Sequence, residues 1–245
     1  MLTAHRPKNP MVLSYLALRK AVGGIALGLP FAMVIPWWFL GGHVVEGSIS
    51  GYYYTGMRNL FEGCLCAIAM FMLSCRGYDR RDERAGIFSA CCALGVAFCP
   101  TTPDLGWTSW QAKVGTAHYI FAALLFSTLA YFCLALFKRT ADPRTMTRRK
   151  RSRNQVYTAC GWAIIASMGA ILLARVFHLE YLVGSLAPML CFETTALLAF
   201  GIAWLVKGET FLKDEKPAAP HTTELPASSA DRPPPPDPTS ILSQK

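Results

Sequence analysis

Glu62 and Glu193 are carboxylates set inside apolar stretches of this sequence, where an ionised group is costly and needs a partner or a function. Arg58 precedes Glu62 by four residues, the spacing that places two side chains on one helical face. Glu193 has no cation three or four residues away. It lies fourteen residues before Lys207, about 21 Å along a helix at 1.5 Å per residue. His118 stands near the start of another apolar stretch, about one turn in. The segment 41–57 adds His43, Glu46, Ser48, Ser50 and the consecutive Tyr52, Tyr53 and Tyr54. The segment after Ala174 adds Arg175, His178 and Glu180.

Three chemistries are open to these groups if they meet at one depth. In the first, Arg58 attracts an anionic headgroup while Ser50, Tyr54, Glu62, His118 and Glu193 shape a polar floor, so that the site binds a lipid or small amphiphile. In the second, the histidines and carboxylates surround a metal and hydrolyse lipid. His43, His118 and His178 sit on separate segments, however, without HxxxH or HExxH spacing, and neither a metal nor another cofactor is expected. In the third, Glu193 binds and releases a proton as the carrier group of a small transporter. Plainer roles compete with each of these: Arg58 and Glu62 as a structural pair, His118 as an interfacial hydrogen-bonder, Tyr52 to Tyr54 as an aromatic belt.

The elements that must position these residues follow from composition. Of the 245 residues, 53% are hydrophobic and 16% charged, against roughly 25% charged in soluble domains. Several apolar runs approach twenty residues, enough to span a hydrocarbon core of about 30 Å. The expected fold is all-α, a polytopic membrane bundle of six transmembrane helices at about Ala21–Leu40, Met57–Cys75, Ala85–Cys99, Gly115–Phe137, Val156–Ala174 and Leu186–Val206. The second and third are short, and the second contains charge. Residues 1–20 form a cytoplasmic segment, 21–210 the membrane domain, and 211–245 a disordered tail rich in proline that includes Pro233 to Pro236. A basic start before an apolar stretch also describes a signal peptide, but Pro30, Pro36 and Trp37-Trp38 without a small-x-small site point to a retained helix.

Charge sets the expected orientation. With both ends in the cytoplasm, 21 of the 24 lysines and arginines fall inside, leaving Arg58, Lys113 and Arg175 outside. The run Arg148 to Arg153 then anchors topology beside anionic lipid. Nucleic acid is not expected as a partner despite the net charge of +9. Membrane lipids are, and a homo-oligomer stays open. The nine cysteines show no zinc-like spacing and behave as small hydrophobes.

Three stretches carry a resemblance: Ser48 to Gly63, the pair His118-Tyr119, and Phe192-Glu193 with Trp204 to Glu209. Over about residues 15–210 they resemble multi-pass bacterial membrane proteins of unknown function, which implies the bacterial cytoplasmic membrane. The chain is also similar to the six-span Frag/DRAM/Sfk-type family, which pairs a polar outer first loop with a histidine in span four and a glutamate in the last span. His118 and Glu193 fill those places here, while that family's first-loop motif is not matched. The likeness implies lipid handling and assigns no catalytic residue.

Overall fold

The computed structural model describes residues 10–74, 79–139, 147–177 and 187–212, with side chains from residue 16 onward. The tail from 213, His178 and Glu180 lie outside the described residues. Six long helices account for most of what is described, and no strand occurs among these residues. They are α1 (Pro10–Trp37), α2 (Arg58–Ser74), α3 (Arg80–Phe98), α4 (Ser109–Tyr131), α5 (Arg148–Val176) and α6 (Pro188–Lys207). A π-helical turn, Trp38–Gly42, continues α1, and another, Phe132–Leu136, continues α4.

Several helices outrun their apolar stretches. α1 begins at Pro10 rather than near Ala21, proline being well suited to a first helical position. α5 begins at Arg148 because Thr147 accepts the Lys150 amide as an N-cap. α4 begins at Ser109, where Thr108 and Gln111 form a reciprocal capping box. His118 therefore sits nine residues into α4 (118 − 109), about 14 Å from its start, not one turn from it.

Four helices are long and apolar enough to cross a membrane: α1 and α4 with their π-helical continuations, α5, and α6. The expected six are not all of that kind. α2 has 17 residues, about 25 Å of helix. α3 spends its first residues on Arg80, Arg81, Asp82, Glu83 and Arg84, which leaves only 85–98 apolar.

Each helix packs against its sequence neighbours, and α1 also packs against α6. The six thus close into a ring, with neighbours antiparallel. At one end Arg139 bridges Asp79 at 2.7 Å and Asp82 at 3.4 Å, tying the end of α4 to the start of α3. At the other, the α1–α2 connection meets α3, α4 and α6. All but three of the described lysines and arginines belong to the first end; Arg58, Lys113 and Arg175 belong to the second. We call these the arginine-rich end and the loop end.

The interior is closed near the arginine-rich end by buried aromatics. Trp204 lies 5.0 Å from Phe137, 5.0 Å from Phe200 and 5.3 Å from Phe132, measured between ring centroids. The seam between α1 and α6 depends on two glycines that face one another. A Cβ on Gly201 would stand 2.7 Å from Leu27 and 2.9 Å from the Gly23 carbonyl oxygen, so the backbones can approach only without it.

Two outcomes follow. Gly201→Ala should part α1 from α6 and cost about 1–3 kcal/mol as an overpacked contact, read as a lower thermal midpoint in detergent. Asp79 caps α3 through the amides of Arg81 and Asp82. Its pKa is held below the ordinary value, chiefly by the Asp82 amide against a smaller effect of burial, with Arg139 adding to the lowering. The cap is therefore complete at neutral pH and is lost as pH falls through that lowered value. Asp79→Ala should speed hydrogen exchange of amides 81–83 at neutral pH, and acidification should erase the difference from wild type.

Candidate functional site

The connection from α1 to α2 runs across the surface only in part. After Gly41, held at φ 101°, and His43, the chain turns inward and forms a short 3₁₀ helix, Ser50–Tyr54. Ile49, Tyr52 and Tyr53 are buried there. This strap must find hydrogen-bond partners among the helices, because backbone amides removed from water are expensive to leave unpaired.

α6 and α4 supply them. Glu193 Oε2 accepts the Ile49 amide at 2.5 Å and the Ser50 amide at 3.4 Å. Leu190, one turn earlier on α6, donates its own amide to the Gly47 carbonyl at 2.9 Å. His118 is 2% exposed; its Nδ1 lies 2.6 Å from the Cys99 carbonyl oxygen and its Nε2 3.0 Å from Ser50 Oγ. A carbonyl can only accept, so Nδ1 donates to Cys99. With one proton on the ring, Nε2 accepts from the serine hydroxyl. Ser50, His118 and Glu193, named from sequence, thus come together in one network that fastens the strap.

Arg58 and Glu62 do not join it. They pair with each other at 2.9 Å, and Arg58 also donates to the Tyr53 hydroxyl and lies over that ring at 4.2 Å. With half of its side chain exposed, Arg58 is satisfied locally on the flank of the bundle. Tyr54 donates to the Thr101 carbonyl and so ties the strap to the α3–α4 connection. His43 packs edge-on against Trp38, 6.0 Å away, apart from His118. Among the described residues no group of three or more histidines, cysteines or carboxylates is arranged to hold a metal.

Two kinds of space adjoin the strap. Behind it, inside the ring, lies a small apolar cavity of about 60 Å³ lined by Leu65, Leu125, Leu129, Leu197 and Phe200, with Ser50 and Glu193 as its polar edge. In front, an open polar cleft of about 560 Å³ is lined by Glu46, Ser48, Tyr54, Asp104, Tyr119 and Arg175 among others. An apolar groove of about 540 Å³ shares Tyr54 and Thr101 with that cleft and continues over Tyr53, Phe98, Trp110 and Val114. Phe98 and Trp110 are 63% and 70% exposed, as side chains facing hydrocarbon would be.

Glu46 is a perturbed carboxylate of the cleft. Its pKa is raised by burial and further by Asp104. Arg175 stacks on Tyr119 at 4.2 Å and donates to its hydroxyl. Sequence inspection named Glu46 and Arg175, and Tyr119 only as a neighbour of His118 in the resemblance, but not Asp104 or Thr101. The only prior sign of Asp104 was a Pro-Asp turn in a short connection.

Fold and site together define an all-helical bundle, four of its helices long and apolar enough to cross a membrane, with this network at its loop end. No family model, curated protein or solved structure matches the chain, so the roles of these residues are argued from geometry.

The fastening makes a graded expectation. Glu193→Ala strands two amides and should destabilise the protein by about 1–3 kcal/mol, with faster exchange at amides 49 and 50. Glu193→Gln keeps an acceptor oxygen and should lie between wild type and alanine in both measurements.

Proposed function

We propose that this chain is a six-crossing bundle of the bacterial cytoplasmic membrane, with its arginine-rich end in the cytoplasm, that binds a lipid or similar amphiphile at its loop end. The observation that carries the binding reading is the polar cleft joined to an apolar, outward-facing groove across the Tyr54–Thr101 contact. Each part falls within the roughly 300–1,000 Å³ of known ligand sites. An amphiphile has the matching division: a polar head for Glu46, Asp104 and Arg175, and a chain for Phe98, Trp110 and Val114. The cation facing a headgroup in this arrangement is Arg175 rather than Arg58, which Glu62 and Tyr53 already engage.

The ring supports six crossings although two helices fall short of membrane length. α2 and α3 complete the ring between α1 and α4; without them the interior faces of α1 and α4 would lie open. The positive-inside rule supports the orientation, since only Arg58, Lys113 and Arg175 of the 24 basic residues fall in the segments expected outside. The metal hydrolase lacks a ligand cluster among the described residues, and the proton carrier has Glu193 tied to two amides with aromatics closing the interior beyond it. No geometric observation favours either.

Native mass spectrometry of the purified protein tests the binding reading. Wild type should retain phospholipid, and both Trp110→Ala and Val114→Trp should lower retention several-fold without loss of fold. Retention unchanged in both variants would sink it. Reporter fusions test the topology: fusions within 140–146 should report cytoplasm, and fusions at 104–106 the outer side.

A further inference from the structure

The polar cleft carries more than one sign of charge, and the balance between them specifies a ligand. Glu46 and Asp104 contribute two negative charges and Arg175 one positive charge. Neither carboxylate forms an ion pair within 4.0 Å; the three such pairs among the described residues involve Arg58 with Glu62 and Arg139 with Asp79 and Asp82. The two carboxylates repel one another closely enough for Asp104 to act on Glu46. Tyr52 is fully buried beside Glu46: burial comes first in opposing its ionisation, and a hydrogen bond from the Glu46 backbone works against that.

We propose that the cleft recognises a zwitterionic headgroup of the phosphoethanolamine type, its primary ammonium between Glu46 and Asp104 and its phosphate at Arg175. This rests on the amphiphile reading and adds the headgroup to it. A purely anionic headgroup finds Arg175 but meets two carboxylates. A choline-type headgroup has no N–H for those carboxylates to accept and needs open aromatic faces instead. The face of Tyr119 in this cleft is already covered by Arg175. A primary ammonium offers three donors, suited to two carboxylates that form no ion pair among the described residues and that a single arginine does not balance. The phosphate then meets a guanidinium held in place by its stacking on Tyr119.

The full-length protein would be equilibrated with vesicles of equal parts phosphatidylethanolamine, phosphatidylcholine and phosphatidylglycerol, and the retained lipid identified by native mass spectrometry. Wild type should favour phosphatidylethanolamine over each competitor by about tenfold, or 1.4 kcal/mol. Glu46→Gln combined with Asp104→Asn should bring the three lipids within about twofold of one another; Arg175→Gln should lower retention of all three. Free O-phosphoethanolamine added to wild type should displace the lipid, an arm that needs no variant to fold. Equal retention of the three lipids by wild type would overturn the headgroup assignment and leave the amphiphile reading standing. No retained lipid, with saturable binding of free O-phosphoethanolamine, would keep the headgroup site and overturn the amphiphile reading. Retention of phosphatidylglycerol that depends on added calcium would overturn the proposal by making the acid pair a metal site.

Discussion

Everything at the loop end depends on one requirement: the amides of a non-helical strap that enters a helical ring must find acceptors there. Water satisfies such groups for a surface loop, but a strap drawn among apolar helices depends on side chains. Glu193 accepts two of these amides with a single oxygen, Ser48 Oγ and the Ile49 carbonyl accept those of Gly51 and Tyr52, and His118 accepts the Ser50 hydroxyl. The strap in turn separates the inner apolar cavity from the outer polar cleft. Had these amides no partner, the two spaces would have no wall between them, and neither would have its present lining.

The ring itself follows from an even number of helices joined by short connections. Antiparallel neighbours are what such connections favour, and with six of them the first and last helices meet with opposite directions. Gly23 and Gly201 make that closure tight. Because the seam is formed by backbone proximity rather than by large side chains, α6 is drawn close enough for Glu193 to reach the strap that follows α1. The aromatic group around Trp204 fills the interior where no polar group is available.

Much of this was legible in the chain. Apolar runs revealed all six helices, charge placement revealed two unlike ends, and the cost of burying ionisable groups singled out Glu193, with His118 and Ser50 named beside it as polar groups of the same side. Spacing along a helix does not say which way a residue faces around a ring, which is why Arg58 and Glu62 were grouped with a site they do not line. The Cys99 carbonyl that orients His118 is a backbone atom and has no letter in a sequence. Asp104 lay in a connection whose composition signals only a turn. Helix limits were misjudged for a related reason: hydropathy marks the part of a helix that avoids water, while Thr108 and Thr147 start their helices on polar ground.

The carboxylate that holds the strap lies far along the chain from it, 144 positions after Ile49. A ribosome delivers residues in order, so α1, the strap and α2 leave the synthetic machinery while α6 does not yet exist. Through that interval the Ile49 and Ser50 amides have water, lipid headgroups or a chaperone as partners, and the wall between cleft and cavity is unbuilt. The loop end is therefore assembled last although its sequence is made early. A chain cut short before α6 retains most of its helices and the His118 contact, but lacks the carboxylate that accepts the strap's amides.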